Sequence, residues 1–220
     1  MIDHAQARRN MVEGQLRTNS VTDPRILDAM SIVERERFVP AALRDLAYLD
    51  MDLALTETAP RRHLLEPLIF ARLAQSLDLT AESTVLDVGC ATGYSAVVLS
   101  HLAGRVVGVE SDTALAAQAT ANVAGLPGVT IVTGPVEKGA PMHGPYDGIL
   151  LEGAVDVIPQ ALIDQLKDGG RLAAIVGTGR AARAVVALRA GSDVSYRHVF
   201  EAAAPSLLVT ARAPAFEFPL

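Results

Sequence analysis

The chain has 220 residues, 50% of them hydrophobic, with no Trp, four Tyr and five Phe, so it can fill one α/β domain whose core is aliphatic and Ala-rich. Its formal net charge of −6 excludes a broad basic face for phosphate backbones, and with it nucleic acid as an expected partner. The single Cys90 excludes an intrachain disulfide, His4, His101, His143 and His198 show no metal-ligand spacing, and the lack of a signal-like or membrane-length apolar run gives a cytoplasmic expectation without a membrane partner.

Asp23 followed by Pro24 marks a helix start, a capping carboxylate ahead of a residue suited to the first helical position. Ile26, Leu27, Met30 and Val33 recur behind it at helical spacing. Residues 53–67 are turn-rich. Glu66-Pro67 opens another helix with Ile69, Phe70, Leu73 and Leu77 along one side, and Glu66 is expected to cap it. Strand patterns at residues 84–88, 106–110, 129–132, 148–151 and 171–176 then alternate with helical patterns that begin near Gly93, Asp112 and Pro159. Such alternation predicts a parallel sheet with helices on both faces. Asp168-Gly169-Gly170 is expected to end the last helix and feed the fifth strand. Further on, β-like segments at 184–188 and 194–200 flank the turn Gly191-Ser192-Asp193, and a third at 207–211 follows, which predicts an antiparallel extension.

The chemistry concentrates at residues 85–93, VLDVGCATG, where a buried strand meets a small-residue turn and a helix begins. Ligands of open α/β sheets bind at the carboxyl ends of strands, near the point where strand order reverses. Gly89 and Gly93 let a ligand approach the backbone without Cβ interference. Glu110 ends the second strand, where a carboxylate can accept both hydroxyls of a ribose. A dinucleotide fingerprint counted from Gly89 requires glycine at positions now held by Ala91 and Tyr94. A sulfonium cofactor fits better: it has no pyrophosphate to seat, and Asp87 suits the ammonium of its amino-acid tail. The plainer alternative is a tight strand-to-helix turn with no ligand. Cys90 is expected to pack in this turn.

The stretch VLDVGCATGYSAVVLS followed by VVGVE resembles the first two motifs of class I S-adenosylmethionine-dependent methyltransferases. VTDPRILDAMSIVERERFVP, residues 21–40, is similar to the N-terminal signature of the protein-L-isoaspartate O-methyltransferase family. EPLIFARLAQSLDL and YDGILLEGAVDVIPQALIDQLKDGGRL match that family's later segments, so the likeness runs over roughly residues 10–180. It implies a Rossmann-like α/β fold: a mostly parallel seven-stranded sheet, helices on both faces and an antiparallel C-terminal extension. Residues 1–80 would be a helical segment with a substrate-side loop, and residues 81–220 the cofactor-binding unit, together one body. The implied cofactor is S-adenosyl-L-methionine and the implied reaction is methylation of isoaspartyl carboxylates in damaged proteins or peptides. Asp87, Gly89, Cys90, Ala91, Gly93 and Glu110 would then surround the methionine and ribose, with Val136 near the adenine and Glu152 beside the site.

The chain departs from the family where the acceptor should sit. The family's T-I-S-Q/A-P segment reads His63-Leu64-Leu65-Glu66-Pro67 here, so Leu65 stands in place of its serine. The family's G-D-G after the third strand reads Gly134-Pro135-Val136, and the central glycine of the first motif is Ala91. Its later P-V-G reads Ile175-Val176-Gly177. No catalytic residue is assigned; Arg62, His63 and Glu66 are candidates. Arg62 either clamps an anionic acceptor or lies in a solvated loop. His63 serves as general base only if the acceptor is a hydroxyl or an amine. Asp147 reads as structural. Two further readings stay open: a methyltransferase of the same fold acting on another acceptor, such as a small molecule, and a cofactor-binding protein without turnover. An oligomer is compatible with the chain.

Overall fold

The computed structural model describes residues 2–58 and 61–208. Helix α1 (His4–Asn10) starts at Asp3, whose side chain accepts the Gln6 N–H, and runs into a π-helical stretch, Met11–Leu16. Helix α2 (Pro24–Ile32) begins as its sequence predicts: Asp23 accepts the Arg25 N–H at 2.9 Å and Pro24 takes the first helical position. Helix α3 (Pro67–Ser76) buries Ile69, Phe70 and Leu73, and its Gln75 accepts the Thr22 and Asp23 N–H groups, tying α2 to α3. The turn-rich stretch carries a short antiparallel ribbon, Leu53–Ala54 against His63–Leu64.

The sheet has seven strands: β1 (Thr84–Val88), β2 (Arg105–Glu110), β3 (Val129–Thr133), β4 (Tyr146–Val155), β5 (Leu166–Val176), β6 (Arg183–Ala190) and β7 (Asp193–Glu201). Their spatial order is β3-β2-β1-β4-β5-β6-β7. The first five run parallel, and β6 and β7 add on antiparallel beyond β5. Helices α4 (Tyr94–Leu99), α5 (Thr113–Asn122) and α6 (Gln160–Ile163) connect them. Along β1, Val85 belongs to a core shared with the N-terminal helices, while Leu86 and Val88 join a second core with Leu162 and Ile163 of α6. Both faces are therefore covered, which explains why the strands read as continuous apolar runs. Strand order reverses between β1 and β4, so the crevice at their carboxyl ends is the expected ligand position.

Two expectations need correction. Asp168-Gly169-Gly170 does not end a helix; α6 stops at Ile163 and the three residues lie within β5. Pairing jumps there from Tyr146↔Leu166 to Gly148↔Arg171, so the extra residues bulge out of the ladder, with Gly169 at φ +77 supplying the left-handed turn. Of the predicted strand at 207–211, Leu207 and Leu208 lie outside any strand, and residues 209–211 fall outside the described residues. After β7 the chain turns back across the sheet and forms a single parallel bridge, Ser206 with Ala154 at the end of β4.

Candidate active site

The turn after β1 is wound tightly around the end of β2. Gly89 N–H and Cys90 N–H both donate to the Val109 carbonyl, at 2.8 and 3.2 Å, and Gly93 N–H donates to the Cys90 carbonyl at 2.7 Å. Gly89 and Gly93 have φ of +80 and +88, and Ala91 is forced to +48. A left-handed alanine costs about 1 kcal/mol. Its N–H is well placed in return, donating to Glu110 Oε2 at 3.0 Å. Cys90 is buried, and burial pushes its thiol pKa well above the ordinary value, which fits a packing residue.

Three carboxylates meet at this end of the sheet. Asp87 is fully buried; Ser95 Oγ donates to its Oδ2 at 2.6 Å, while Oδ1 has no partner. Glu152, at the end of β4, is buried with Oε1 likewise unpartnered. Burial raises the pKa of both, and the charge of Asp87 raises that of Glu152 further. Glu110 is fully buried and satisfied: Oε1 accepts Arg62 Nε at 3.0 Å and the Asp112 N–H at 2.9 Å. Val136, also buried, opens the turn after β3, where Gly134 N–H donates to the Glu110 carbonyl.

Arg62 is the main surprise. It is neither solvated nor free to clamp an acceptor, because the ribbon folds its side chain inward: its Nη2 donates to Ser111 Oγ at 2.7 Å and its Nη1 to the Leu207 carbonyl at 2.9 Å. Arg61 stays exposed. His63 and Glu66 lie beside Asp52, whose Oδ1 accepts the Glu66 N–H at 2.9 Å. Glu66 occupies the capping position of α3, but its side chain makes no capping bond, and its backbone N–H donates to Asp52 instead. Burial, with Asp50 and Asp52 nearby, pushes the Glu66 carboxyl up to about 7. Burial lowers the pKa of His63 more than Asp52 raises it.

Sequence reasoning missed Arg35 and Tyr94. Arg35 is fully buried, donating from Nε to the Ala47 carbonyl and from Nη2 to the Leu65 carbonyl, with its guanidinium carbon 4.8 Å from the Tyr94 ring centroid. Its Nη1 and the Tyr94 hydroxyl are unpartnered, as are Asp87 Oδ1 and Glu152 Oε1. Arg35 and Glu152 attract each other electrostatically, and Glu152 and Asp87 repel. Unsatisfied buried polar atoms are costly, and such a run marks a place where a polar ligand can repay the cost. Arg35 stands in a run of four charged residues, Glu34 to Arg37, and nothing local marks it as the buried one. Leu65 itself is buried in the core.

Comparison with known proteins places these features in context. Residues 6–203 match the family model described as protein-L-isoaspartate(D-aspartate) O-methyltransferase. A protein-L-isoaspartate O-methyltransferase from a Synechococcus species is 41% identical over 175 residues, 79% of this chain and 70% of that protein. A solved protein-L-isoaspartate O-methyltransferase superposes with a TM-score of 0.77 at 26% identity over 90% of this chain; the chain spans 64% of that longer structure. A candidate member from Plasmodium falciparum, crystallised with S-adenosyl-L-homocysteine, superposes with a TM-score of 0.74 over 94% of this chain and 99% of that one, at 16% identity.

Proposed function

The chain belongs to the protein-L-isoaspartate(D-aspartate) O-methyltransferase family, and from that premise we propose that it transfers the methyl group of S-adenosylmethionine to an isoaspartyl carboxylate of a protein or peptide. The observation that carries the reading is the crevice between β1 and β4, where Gly89, Asp87 and Glu110 converge at the strand-order reversal. The donor set suits the cofactor at Asp87, whose Oδ1 has an acceptor position to offer an ammonium; Glu110 can offer a ribose its Oε1 only in exchange for the Arg62 bond.

S-adenosylmethionine, when bound, supplies a methyl group on a sulfonium that departs as a neutral thioether once an acceptor oxygen attacks. The acceptor carboxylate is already ionised near neutral pH, so no general base is required and the protein's task is positioning. In this reading Asp87 and Glu152 hold the tail ammonium, Arg35 Nη1 and the Tyr94 hydroxyl take the tail carboxylate, and Glu110 fixes the ribose. Val136 borders the adenine. The buried walls of Leu65, Tyr94 and Phe38 exclude water from the transferring group.

One observation favours a second acceptor class. The half-buried groups beside Leu65 are acidic, Asp52 and Glu66, and they repel an anionic acceptor while attracting an amine. Mixing the protein with methyl-labelled cofactor and an isoaspartyl peptide separates the readings. Formation of a base-labile peptide ester supports carboxylate methylation. Cofactor binding by calorimetry without ester leaves the other acceptor, and no binding overturns the methyltransferase reading itself.

A further inference from the structure

We propose that Glu152 makes the crevice selective for the sulfonium form of the cofactor over its thioether product, by adding a second buried carboxylate where the amino-acid tail needs only one. The inference rests on the cofactor reading above and adds a charge balance to it. Asp87 pairs with Leu150 in the register of β1 with β4, and Glu152 follows two residues later, just past the last pair, Val88 with Leu151. Both carboxylates are buried, and each keeps one oxygen without a partner. Ser95 Oγ donates to Asp87 and favours its ionised form. Glu152 has no such support; burial and the charge of Asp87 push its pKa up, and only Arg35 opposes them.

The remaining groups around Glu152 fix the balance. Arg35 supplies one positive charge, with Nη1 unpartnered. The Tyr94 hydroxyl and the Cys90 thiol lie within electrostatic reach of Glu152, and burial raises the pKa of each, so both stay neutral. Glu110 is matched by Arg62, and a ribose brings no charge to that pair. Two carboxylates therefore oppose one guanidinium. A tail of one ammonium and one carboxylate is neutral overall and leaves a negative charge buried without compensation. A sulfonium supplies the missing positive charge, and a thioether does not. An uncompensated buried charge is expensive and is relieved by neutralisation. Glu152 thus stays ionised beside the sulfonium and takes up a proton beside the thioether.

Calorimetry on the full chain tests this, with S-adenosylmethionine and S-adenosylhomocysteine titrated separately near neutral pH in two buffers of different ionisation enthalpy. Such titrations read affinity and protons exchanged together. S-adenosylmethionine should bind with release of about one proton more than S-adenosylhomocysteine. The ratio of the two affinities should then shift toward S-adenosylmethionine by up to about tenfold per pH unit as pH rises. Glu152→Gln keeps the shape and removes the charge. It should weaken S-adenosylmethionine by at least about tenfold, leave S-adenosylhomocysteine within about threefold, and abolish the proton difference. Equal proton exchange by the two ligands in the wild type overturns the inference and leaves the cofactor reading intact. A Glu152→Gln variant that weakens both ligands alike does the same, since it confines Glu152 to the tail. Binding of neither ligand to the wild type overturns the cofactor reading, and this inference with it.

Discussion

Replacing Leu65 with the serine of the family tests whether this position faces the core or the cleft. Leu65 is 1% exposed and belongs to the same core as Phe70, Leu73 and Tyr94, and its carbonyl accepts Arg35 Nη2. Removing a buried leucine side chain costs about 2–5 kcal/mol through lost transfer energy and the cavity left behind. The new hydroxyl adds about 1 kcal/mol or more if it finds no partner. Leu65→Ser is thus expected to lose about 3–6 kcal/mol, a large share of the roughly 5–15 kcal/mol that holds a domain folded. Urea unfolding should show a midpoint lower by about 1–2 M at unchanged slope. Leu65→Met keeps volume and apolarity and should cost less than about 1.5 kcal/mol. An unchanged midpoint for Leu65→Ser would refute the reasoning, since it would mean that solvent already reaches this side chain.

Glu66→Gln reads the acidic cluster through pH. The folded carboxyl is raised from 4.5 to about 7, so its favourable protonated form is fully present at low pH and is lost as pH rises through that window. The variant should match the wild type in denaturation midpoint below the window and exceed it above; a difference independent of pH would count against the cluster. The buried pair of Arg62 and Glu110 should show strong coupling. Arg62→Met alone is expected to cost about 3 kcal/mol by stranding a buried carboxylate, while Arg62→Met with Glu110→Gln costs less than the sum of the single changes; additive losses in a double-mutant cycle would contradict the pairing. Ala91→Gly should relieve the left-handed φ of +48. The expected gain is about 0.5–1 kcal/mol, seen as a thermal midpoint higher by roughly 2 °C, and a lower midpoint would show that the turn tolerates alanine without strain.

What the sequence shows and what it hides divides along local versus distant contacts. The Asp23 cap, the helix starting near Asp112, the five parallel strands and the turn at Gly89 are set by neighbouring residues, and each stands where its pattern puts it. Asp87, Glu110 and Glu152 were legible because each sits on or at the end of a strand that the alternation identifies. Arg62 was a candidate, but its role as a buried partner was not legible, since Glu110 and Leu207 lie 48 and 145 positions away. Arg35 and Tyr94 were hidden for the same reason: one comes from the turns before the ribbon and the other from α4, and only packing lays the guanidinium over the ring. The bulge at Asp168-Gly169-Gly170 has the composition of a helix-ending turn. The pairing of β4 with β5, rather than the residues themselves, decides between the two.

The central claim is methyl transfer to an abnormal carboxylate, and a peptide pair tests it most directly. Two peptides of one sequence, joined at a single position through either an isoaspartyl or an ordinary aspartyl linkage, would be incubated with the protein and methyl-labelled S-adenosylmethionine, and base-labile label counted over time. The account predicts label on the isoaspartyl peptide and none above background on its aspartyl twin. Equal labelling of the two, or cofactor binding with neither labelled, would contradict it.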